Sequence, residues 1–235
     1  MSPSIAPQLR RPAEPLATEA ELQSRARTWH ETNERALLPL RLHAWGVPEV
    51  EAADLLRLDA PRHVTPALRH VQAFPASRAW ALVLWGGFQV GKTQAALRWL
   101  VDAARVPVTT LDLGESFRYA TSARFVRFSA LAEAWRSFGA RQQGLVEDAI
   151  TAQALVLDEV GTQFRSAAPL LDHVVCTRHL HRRPTLITTN LGRELFAGDA
   201  NFGLRVALRL EEGAGFRPCG GEPERIALLA ARRAA

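Results

Sequence analysis

The stretch WGGFQVGKTQAA spans residues 85–96 and carries the pattern G-x-x-x-x-G-K-[ST] from Gly86 to Thr93. The apolar run Trp80–Trp85 precedes it and a helical pattern follows it, which is the context that a phosphate-binding loop requires. Lys92 is the only lysine in a chain with 29 basic residues. A compact ammonium fits beneath such a loop, whereas a guanidinium is wider. The stretch therefore predicts a phosphate-binding loop, and the alternative is a glycine-rich turn that happens to contain GKT.

The loop and the start of its helix form the predicted nucleotide-binding set. Successive backbone N–H groups and the positive end of the helix face the anion. Lys92 is expected to reach the β- and γ-phosphates, and the Thr93 hydroxyl is expected to bind Mg²⁺. The predicted nucleotide-binding residues are Gly86, Gly87, Phe88, Gln89, Val90, Gly91, Lys92, Thr93 and Gln94.

A second apolar run, Ala154–Leu157, ends in two carboxylates, Asp158 and Glu159. In a parallel sheet this strand end lies beside the phosphate loop. We expect Asp158 to hold Mg²⁺ together with Thr93, and Glu159 to polarise the attacking water. The alternative is a pair of solvated loop acids after a buried strand.

Two further polar features follow. The run Thr185–Thr189 ends at Asn190, which is placed to position the water or contact the γ-phosphate, or else to form a turn. Arg205 and Arg209 are four residues apart, so they lie on one helix face. Such a pair is either a solvated basic face or a source of the arginine that stabilises a transferring phosphoryl group, often from a neighbouring subunit.

Short apolar runs alternate with helical patterns from residue 79 onward, which predicts a parallel sheet with crossover helices. The expected strands are Trp80–Trp85, Phe125–Phe128, Ala154–Leu157, Leu186–Thr189 and, more weakly, Gly215–Pro218. The expected helices are Glu19–Leu38, Glu49–Leu56, Pro66–Phe74, Thr93–Ala104, Leu131–Phe138, Ala168–His181 and Leu204–Glu212. The first helix begins with a capping box, Thr18 to Glu21.

Composition limits the remaining possibilities. The chain has 235 residues, of which 47% are hydrophobic and 23% charged, as in soluble globular proteins. No apolar run is long enough to span a membrane, and no secretory signal begins the chain, so a cytoplasmic location is expected. The net charge of +5 mildly favours a polyanionic partner. Cys176 and Cys219 are expected to be reduced thiols.

Four motifs occur in a recognisable order: GGFQVGKT, LVLDEVG, RPTLITTN and RVALRL. In this order they resemble the AAA+ ATPases of the DnaC/IstB group, which includes helicase loaders and transposition helpers. The resemblance spans about Leu42–Arg225. It implies an α/β P-loop NTPase fold of the AAA+ type, with a five-stranded parallel sheet between helices, a small N-terminal helical segment and no C-terminal lid. Glu159 departs from the group, whose members often have a second aspartate there.

The resemblance also implies a domain division and site roles. Residues 1–17 are expected to be a flexible tail, 18–60 a helical partner-binding segment, and 61–235 the AAA+ ATPase domain; residues 1–60 do not securely match the group. ATP and Mg²⁺ are the implied cofactors. The implied sensor is Asn190, and the implied arginine finger is Arg209, with Arg205 close by, supplied in trans within a homo-oligomer.

Single-stranded DNA is a further implied partner. The resemblance places DNA-facing elements near a basic and aromatic patch, and such residues suit single-strand binding. Its members are Arg124, Arg127, Arg136, Arg141, Phe125, Phe128, Trp135 and Phe138. The alternative is that the phenylalanines belong to the core and the arginines are ordinary surface charges.

Three functions remain open on these grounds. The first is an ATPase that assembles on single-stranded DNA and loads or remodels a replicative helicase. The second is a transposition helper that recruits a transposase, and the third is a nucleotide-dependent adaptor with negligible hydrolysis. A small-molecule kinase is disfavoured by the acid pair Asp158 and Glu159 and by the expected absence of a lid.

Overall fold

The computed structural model describes residues 17–57, 64–110, 114–137 and 140–220. Its strands are β1 Ala81–Trp85, β2 Arg105–Thr110, β3 Gly114–Tyr119, β4 Arg124–Arg127, β5 Leu155–Val160, β6 Thr185–Thr189 and β7 Phe216–Pro218. Five of them form one sheet in the order β4-β5-β6-β1-β7, and every neighbouring pair is parallel. All five predicted strands are confirmed, including the weak one that became β7. Strands of a parallel sheet that is covered on both faces have nearly continuous apolar sequences, and this made them recognisable.

Helices cover both faces of this sheet. The α-helices of the described residues are α1 Glu19–Ala36, α2 Leu38–Ala44, α3 Glu49–Arg57, α4 Pro66–Ala73, α5 Lys92–Ala103, α6 Phe128–Arg136, α7 Ala140–Thr151, α8 Ala168–Leu180, α9 Arg193–Ala197 and α10 Leu204–Glu211. Alternate side chains of one strand point to opposite faces. In β1, Leu82 and Leu84 therefore pack with α4 and α5, whereas Ala81 and Val83 pack with α6, α7, α8 and α10. The result is two hydrophobic cores separated by the sheet.

The N-terminal helices α2 and α3 belong to the core on the α5 side. Leu42 and Trp45 are fully buried there together with Leu97. The Trp45 Nε1–H donates a hydrogen bond to the Ala120 carbonyl at 3.0 Å, and the Trp45 carbonyl accepts one from the Phe125 N–H at 2.7 Å. These bonds join the N-terminal helices to the chain just before and within β4.

The first helix is different, because α1 has no buried residue. The capping box is confirmed: the Glu21 N–H donates to the Thr18 hydroxyl, and the Thr18 N–H donates to the Glu21 carboxylate. The helix lies against β3, where the Tyr119 N–H donates to the Glu34 carboxylate at 3.0 Å. It ends at Ala36 rather than Leu38, because Pro39 lies in the first turn of a separate helix, α2.

Four elements were not predicted from the sequence: the β2–β3 hairpin and the helices α2, α7 and α9. The antiparallel hairpin β2–β3 occupies the segment between α5 and β4, where no helix or strand was predicted. Helix α7 was also missed, because Gly144 and its polar neighbours give a weak helical pattern. Its apolar residues Val146 and Ile150 are nevertheless buried against the sheet, so tertiary packing supplies what local propensity lacks.

The structure divides the basic and aromatic patch. Phe125 and Phe128 are buried in the two cores, so the core interpretation is right for them. Arg124 pairs with Asp148 at 3.2 Å, and Arg127 pairs with Glu51 of α3 at 2.6 Å. Three members are exposed: Arg127, Trp135, at 46%, and Arg136, which donates to the Ala132 carbonyl. Phe138 and the side chain of Arg141 lie outside the described part of the structure.

Other predictions concern residues that the structure does not describe. The expected tail is one of these, since residues 1–16 are outside the described ranges. The expected absence of a lid is another, since it concerns residues 221–235. Within the described ranges, no helix is both long and apolar enough to cross a bilayer.

One buried cation organises the edge of the sheet at which β6 begins. Arg178 of α8 is completely buried. Its guanidinium donates to the Thr185 hydroxyl and to backbone carbonyls at 2.6–3.1 Å; the carbonyls belong to Ala149, Ile150, Ala152 and Pro184. Burial, and to a lesser extent the nearby Arg183, lowers the pKa of Arg178 to about 9. The carbonyls at the end of α7 are the negative end of a helix, so they stabilise a cation there.

Replacing Arg178 by methionine is expected to reduce the free energy of unfolding by about 3 kcal/mol, because several buried acceptors lose their donor. Chemical denaturation followed by circular dichroism measures this loss. Arg35→Met is the control: the Arg35 side chain is 64% exposed and, within the described part of the structure, pairs with Glu31 of the same helix, so the change should be below about 0.5 kcal/mol. Equal losses in the two variants would contradict the structural role of Arg178.

Candidate nucleotide-binding site

The predicted phosphate loop connects β1 to α5 and has an unusual backbone. Gly86, Gln89 and Gly91 have positive φ angles of 150°, 61° and 81°. The Gly86 N–H donates to the carbonyl of Thr189, the last residue of β6, at 3.2 Å. Gly91 is the N-cap of α5, so the helix begins directly at the motif lysine. Val90 is buried, whereas Phe88 is 77% exposed.

Gly86 also allows a close approach by the chain after β7. The Cys219 N–H donates to the Trp85 carbonyl at 2.7 Å. A Cβ added to Gly86 would lie 3.0 Å from the Cys219 carbonyl oxygen, whereas one added to Gly87 would meet nothing within 4 Å. The two glycines therefore have different roles: the backbone geometry requires the first and tolerates a side chain at the second.

Lys92 lies within the curve of the loop. Its ammonium donates to the Gly86 carbonyl at 2.9 Å and to the Gly87 carbonyl at 2.5 Å. Burial lowers the pKa of Lys92, and its attraction to the carboxylates of Asp158 and Glu159 partly offsets that shift. The lysine of the motif and the acids at the end of β5 therefore lie close enough to influence each other's charge.

Asp158 is the central acid of the site and is 2% exposed. Its carboxylate accepts hydrogen bonds from the Thr93 hydroxyl at 3.1 and 3.2 Å and from the Thr188 hydroxyl at 2.6 Å. Burial raises its pKa, and the bonds from Thr188 and Thr93 oppose that shift. A hydroxyl and a carboxylate in direct contact form the kind of oxygen donor set that Mg²⁺ takes, so Thr93 and Asp158 fit the predicted metal role.

Glu159 and Asn190 lie at the same edge of the sheet, and both are exposed. Glu159 has a φ of +61°, and its backbone N–H donates to the Thr188 hydroxyl at 3.0 Å. Asn190 directly follows Thr189, whose carbonyl binds the first residue of the loop. Both residues therefore follow strands that end beside the loop, and their catalytic roles stay predictions.

The arginine pair lies elsewhere, on α10 facing α8. Arg205 donates to the Asp172 carboxylate through Nε at 3.0 Å and through Nη2. Arg209 Nη1 lies 3.6 Å from the same carboxylate. The spacing correctly predicts one shared helix face, but within a single chain this face contacts Asp172 and not the phosphate loop.

Sequence reasoning missed the roles of two residues at this site. Thr188 contacts both acidic residues, and the only signal for it was the hydroxyl-rich end of RPTLITTN. Cys219 lies against Gly86, and burial raises its pKa to about 11, so its thiol stays protonated at neutral pH. No local pattern marks Cys219, because β7 reaches the loop only in the folded sheet.

Gly86→Ala is expected to lower the free energy of unfolding by about 1–3 kcal/mol, because it combines a positive φ with backbone contact to Cys219. Gly87→Ala is the matched control one residue along the loop and should leave the stability nearly unchanged. Thermal and denaturant unfolding without nucleotide give both values. A Gly87→Ala loss as large as that of Gly86→Ala would contradict the close approach.

Asp158→Asn is expected to raise the stability of the nucleotide-free protein at neutral pH. A carboxyl whose pKa is higher in the folded state binds more protons there, so stability declines as pH rises above 3.8. The neutral amide removes this decline while still accepting from the two threonines. Urea unfolding between about pH 4 and 8 measures the difference from wild type.

Asp148→Asn is the control for that series, because the Asp148 side chain is 51% exposed and pairs with Arg124. It should not stabilise the protein. A lower stability of Asp158→Asn than of wild type at neutral pH would show that the buried charge is not a cost to folding.

Several solved structures are similar to this chain. AMPPCP-bound DnaA from Aquifex aeolicus matches with a TM-score of 0.51 and 13% identity, over 76% of this chain and 53% of that one, so this chain spans about half of its length. DnaI matches with a TM-score of 0.44 and 16% identity, over 74% and 84% of the two chains. The DnaC helicase loader matches with a TM-score of 0.46 and 16% identity, over 65% and 86%.

No protein-family model and no curated protein matches the sequence. At these identities the similarity to DnaA is evidence of fold. Its sheet and flanking helices agree with the arrangement found here, in which five parallel strands lie between two layers of helices. The chain therefore has the P-loop AAA+ fold that the sequence motifs predict.

Proposed function

We propose that this chain is a Mg²⁺-dependent AAA+ ATPase that assembles with copies of itself on single-stranded DNA and loads or remodels a replicative helicase. One observation carries the enzymatic part of the proposal. The Thr93 hydroxyl binds the Asp158 carboxylate beside the loop that surrounds the Lys92 ammonium. A cation, a hydroxyl and a buried carboxylate at the N-terminus of a helix form a site for a metal-bound triphosphate.

ATP binding is assigned to the loop. The N–H groups from Gly86 to Thr93 and the N-terminus of α5 bind the phosphates, and Lys92 binds the β- and γ-phosphates. Thr93 and Asp158 hold Mg²⁺, which neutralises phosphate charge when it is bound. A DnaA structure with this fold has been solved with AMPPCP, and this supports the choice of ligand.

Hydrolysis is assigned to Glu159 and Asn190. Glu159 orients and polarises a water, whose oxygen forms a bond to the γ-phosphorus as the bond to the β–γ bridging oxygen breaks. The products are ADP and inorganic phosphate, and the proton lost by the water passes to the carboxylate and then to solvent. Asn190 contacts the γ-phosphate or the water. Their exposed side chains at the edge beside the loop support these roles.

The positive charge that completes the site is assigned to a neighbouring copy of this chain. Arg209, with Arg205, reaches the γ-phosphate of the adjacent subunit as an arginine finger. Within one chain both arginines contact Asp172 on the surface of α8 and α10, which supports a role at a surface between copies.

The protein partner on which the ATPase acts, its client, is assigned from the order of the four motifs and from the N-terminal segment. Helix α1 buries no residue and exposes Leu22 at 55% and Trp29 at 70%. Exposed large apolar side chains on a helix suit a protein partner. The same motif order occurs in transposition helpers, so a transposase is the alternative client, and an adaptor without turnover is the alternative to an ATPase.

Lys92→Ala is expected to weaken ATP binding about 100-fold, which corresponds to the loss of a charged hydrogen bond of about 3 kcal/mol. Lys92→Arg keeps the charge and should also bind poorly, because a planar guanidinium does not fit within the loop. Titration calorimetry with ATP and Mg²⁺ measures both. Wild-type affinity in the alanine variant would remove the loop from its role.

Glu159→Gln should bind ATP normally in the same calorimetry. In a phosphate-release assay it should hydrolyse ATP about 100-fold more slowly than wild type, so ATP-bound oligomers accumulate. Arg209→Ala should be equally slow alone, and mixing the two variants should restore part of the turnover if the finger acts in trans. If wild type does not hydrolyse ATP, either with or without single-stranded DNA, the result would favour the nucleotide-dependent adaptor. Proteins that Glu159→Gln retains with ATP from the native host distinguish helicase from transposase.

A further inference from the structure

Thr188 connects the two acidic residues of the candidate site. It lies in β6, is 1% exposed, and belongs to none of the predicted site residues. Its hydroxyl donates to Asp158 Oδ1 at 2.6 Å and accepts from the Glu159 N–H at 3.0 Å. A backbone N–H can only donate and a carboxylate at neutral pH accepts, so the direction of both bonds is determined.

The pairing of β5 with β6 explains why one residue reaches both acids. Leu157 is paired with Ile187, but Val160 is paired with Thr189, so the register shifts by one residue between them. Asp158 and Glu159 of β5 therefore lie opposite the single residue Thr188 of β6. Two residues opposite one is the arrangement of a β-bulge, which redirects side chains at the end of a strand.

The bulge places Glu159 in a strained conformation. Its φ of +61° is in the left-handed region, which is unfavourable for a non-glycine residue and persists where the surroundings impose it. The hydrogen bond from its N–H to Thr188 is a restraint of this kind. The direction in which the Glu159 side chain leaves the strand therefore depends on the Thr188 hydroxyl.

We infer that Thr188 is the positioning residue of this site. Through one hydroxyl it sets the orientation of the Asp158 carboxylate, which is assigned to Mg²⁺ together with Thr93, and the backbone direction of Glu159, which is assigned to water. In this role Thr188 acts through Asp158 and Glu159. The inference rests on the proposed function and assigns it a further residue.

The role requires a hydroxyl and not merely a side chain that fills the space. Valine has nearly the shape of threonine but lacks the donor and acceptor, so both bonds are lost. Serine keeps the hydroxyl and lacks only the methyl group. Changing an outer-sphere partner of a metal ligand typically costs 10- to 100-fold in metal affinity or activity.

The test compares Thr188→Val, Thr188→Ser and wild type by nucleotide affinity in EDTA, by nucleotide affinity with Mg²⁺, and by kcat. In Thr188→Val, the gain in affinity produced by Mg²⁺ should fall about 10-fold or more, and kcat should fall by a similar factor. The affinity in EDTA should remain within about twofold, because Lys92 and the loop are unchanged. Thr188→Ser should restore both quantities to within a few-fold of wild type.

Thr185→Val is the matched control on the same strand. The Thr185 hydroxyl is also buried and hydrogen-bonded, but its partners are Arg178 and the Arg183 carbonyl at the opposite edge of the sheet. This variant should lose stability and keep the Mg²⁺ response and kcat, measured below its unfolding temperature. If Thr188→Val does not fold, Thr188→Ala, which also lacks the hydroxyl, carries the same expectation.

The outcomes separate the two proposals. If wild type hydrolyses ATP and Thr188→Val keeps the Mg²⁺ response and kcat of wild type, the positioning role is overturned and the proposed function stands. If Thr188→Val and Thr188→Ser lose affinity equally in EDTA and in Mg²⁺, Thr188 is only structural and the inference also fails. If wild type does not bind ATP at all, the proposed function fails and the inference fails with it.

Discussion

The parallel pairing of β1, β5 and β6 is the constraint on which the candidate site depends. Because these strands run in one direction, the loop after β1, the acids at the end of β5 and the hydroxyls at the end of β6 meet at one edge. Hydrogen bonds across this edge then fix the spacing, from Gly86 to Thr189 and from Thr93 to Asp158. Residues far apart in sequence become neighbours without any long loop.

Much of this arrangement is predictable from the sequence, and the reason is burial. Strands covered on both faces must be apolar throughout, and a phosphate loop requires glycines at fixed positions, so both leave a local pattern. The β2–β3 hairpin and α7 left no such pattern, because their stability comes from packing against other elements. Asp172 beside Arg205 and Arg209 was equally unpredictable, since that contact arises only when α8 packs on α10.

The bulge opposite Thr188 could not be predicted from the sequence either. The sequence shows hydroxyl residues before Asn190, but the register shift belongs to a pair of strands and to neither strand alone. The two buried charged residues at opposite ends of the strands, Arg178 and Asp158, also differ in their hydrogen-bond partners. Arg178 is surrounded by carbonyl acceptors, whereas Asp158 receives only two hydroxyl donors and remains costly to bury. Burial disfavours the charged form of both groups, but the loss of Arg178 would leave several carbonyls without a donor, whereas Asp158 retains capacity for a cation.

Lys92 is the only lysine of the chain, which makes it a specific site for chemical labelling. Apart from the α-amino group, the chain has a single primary amine, and it lies inside the phosphate loop. Burial lowers its pKa, so a larger share is in the nucleophilic neutral form than for an exposed lysine. Acylating reagents selective for amines would therefore label one side chain, and the extent of labelling would report directly on whether the loop is occupied.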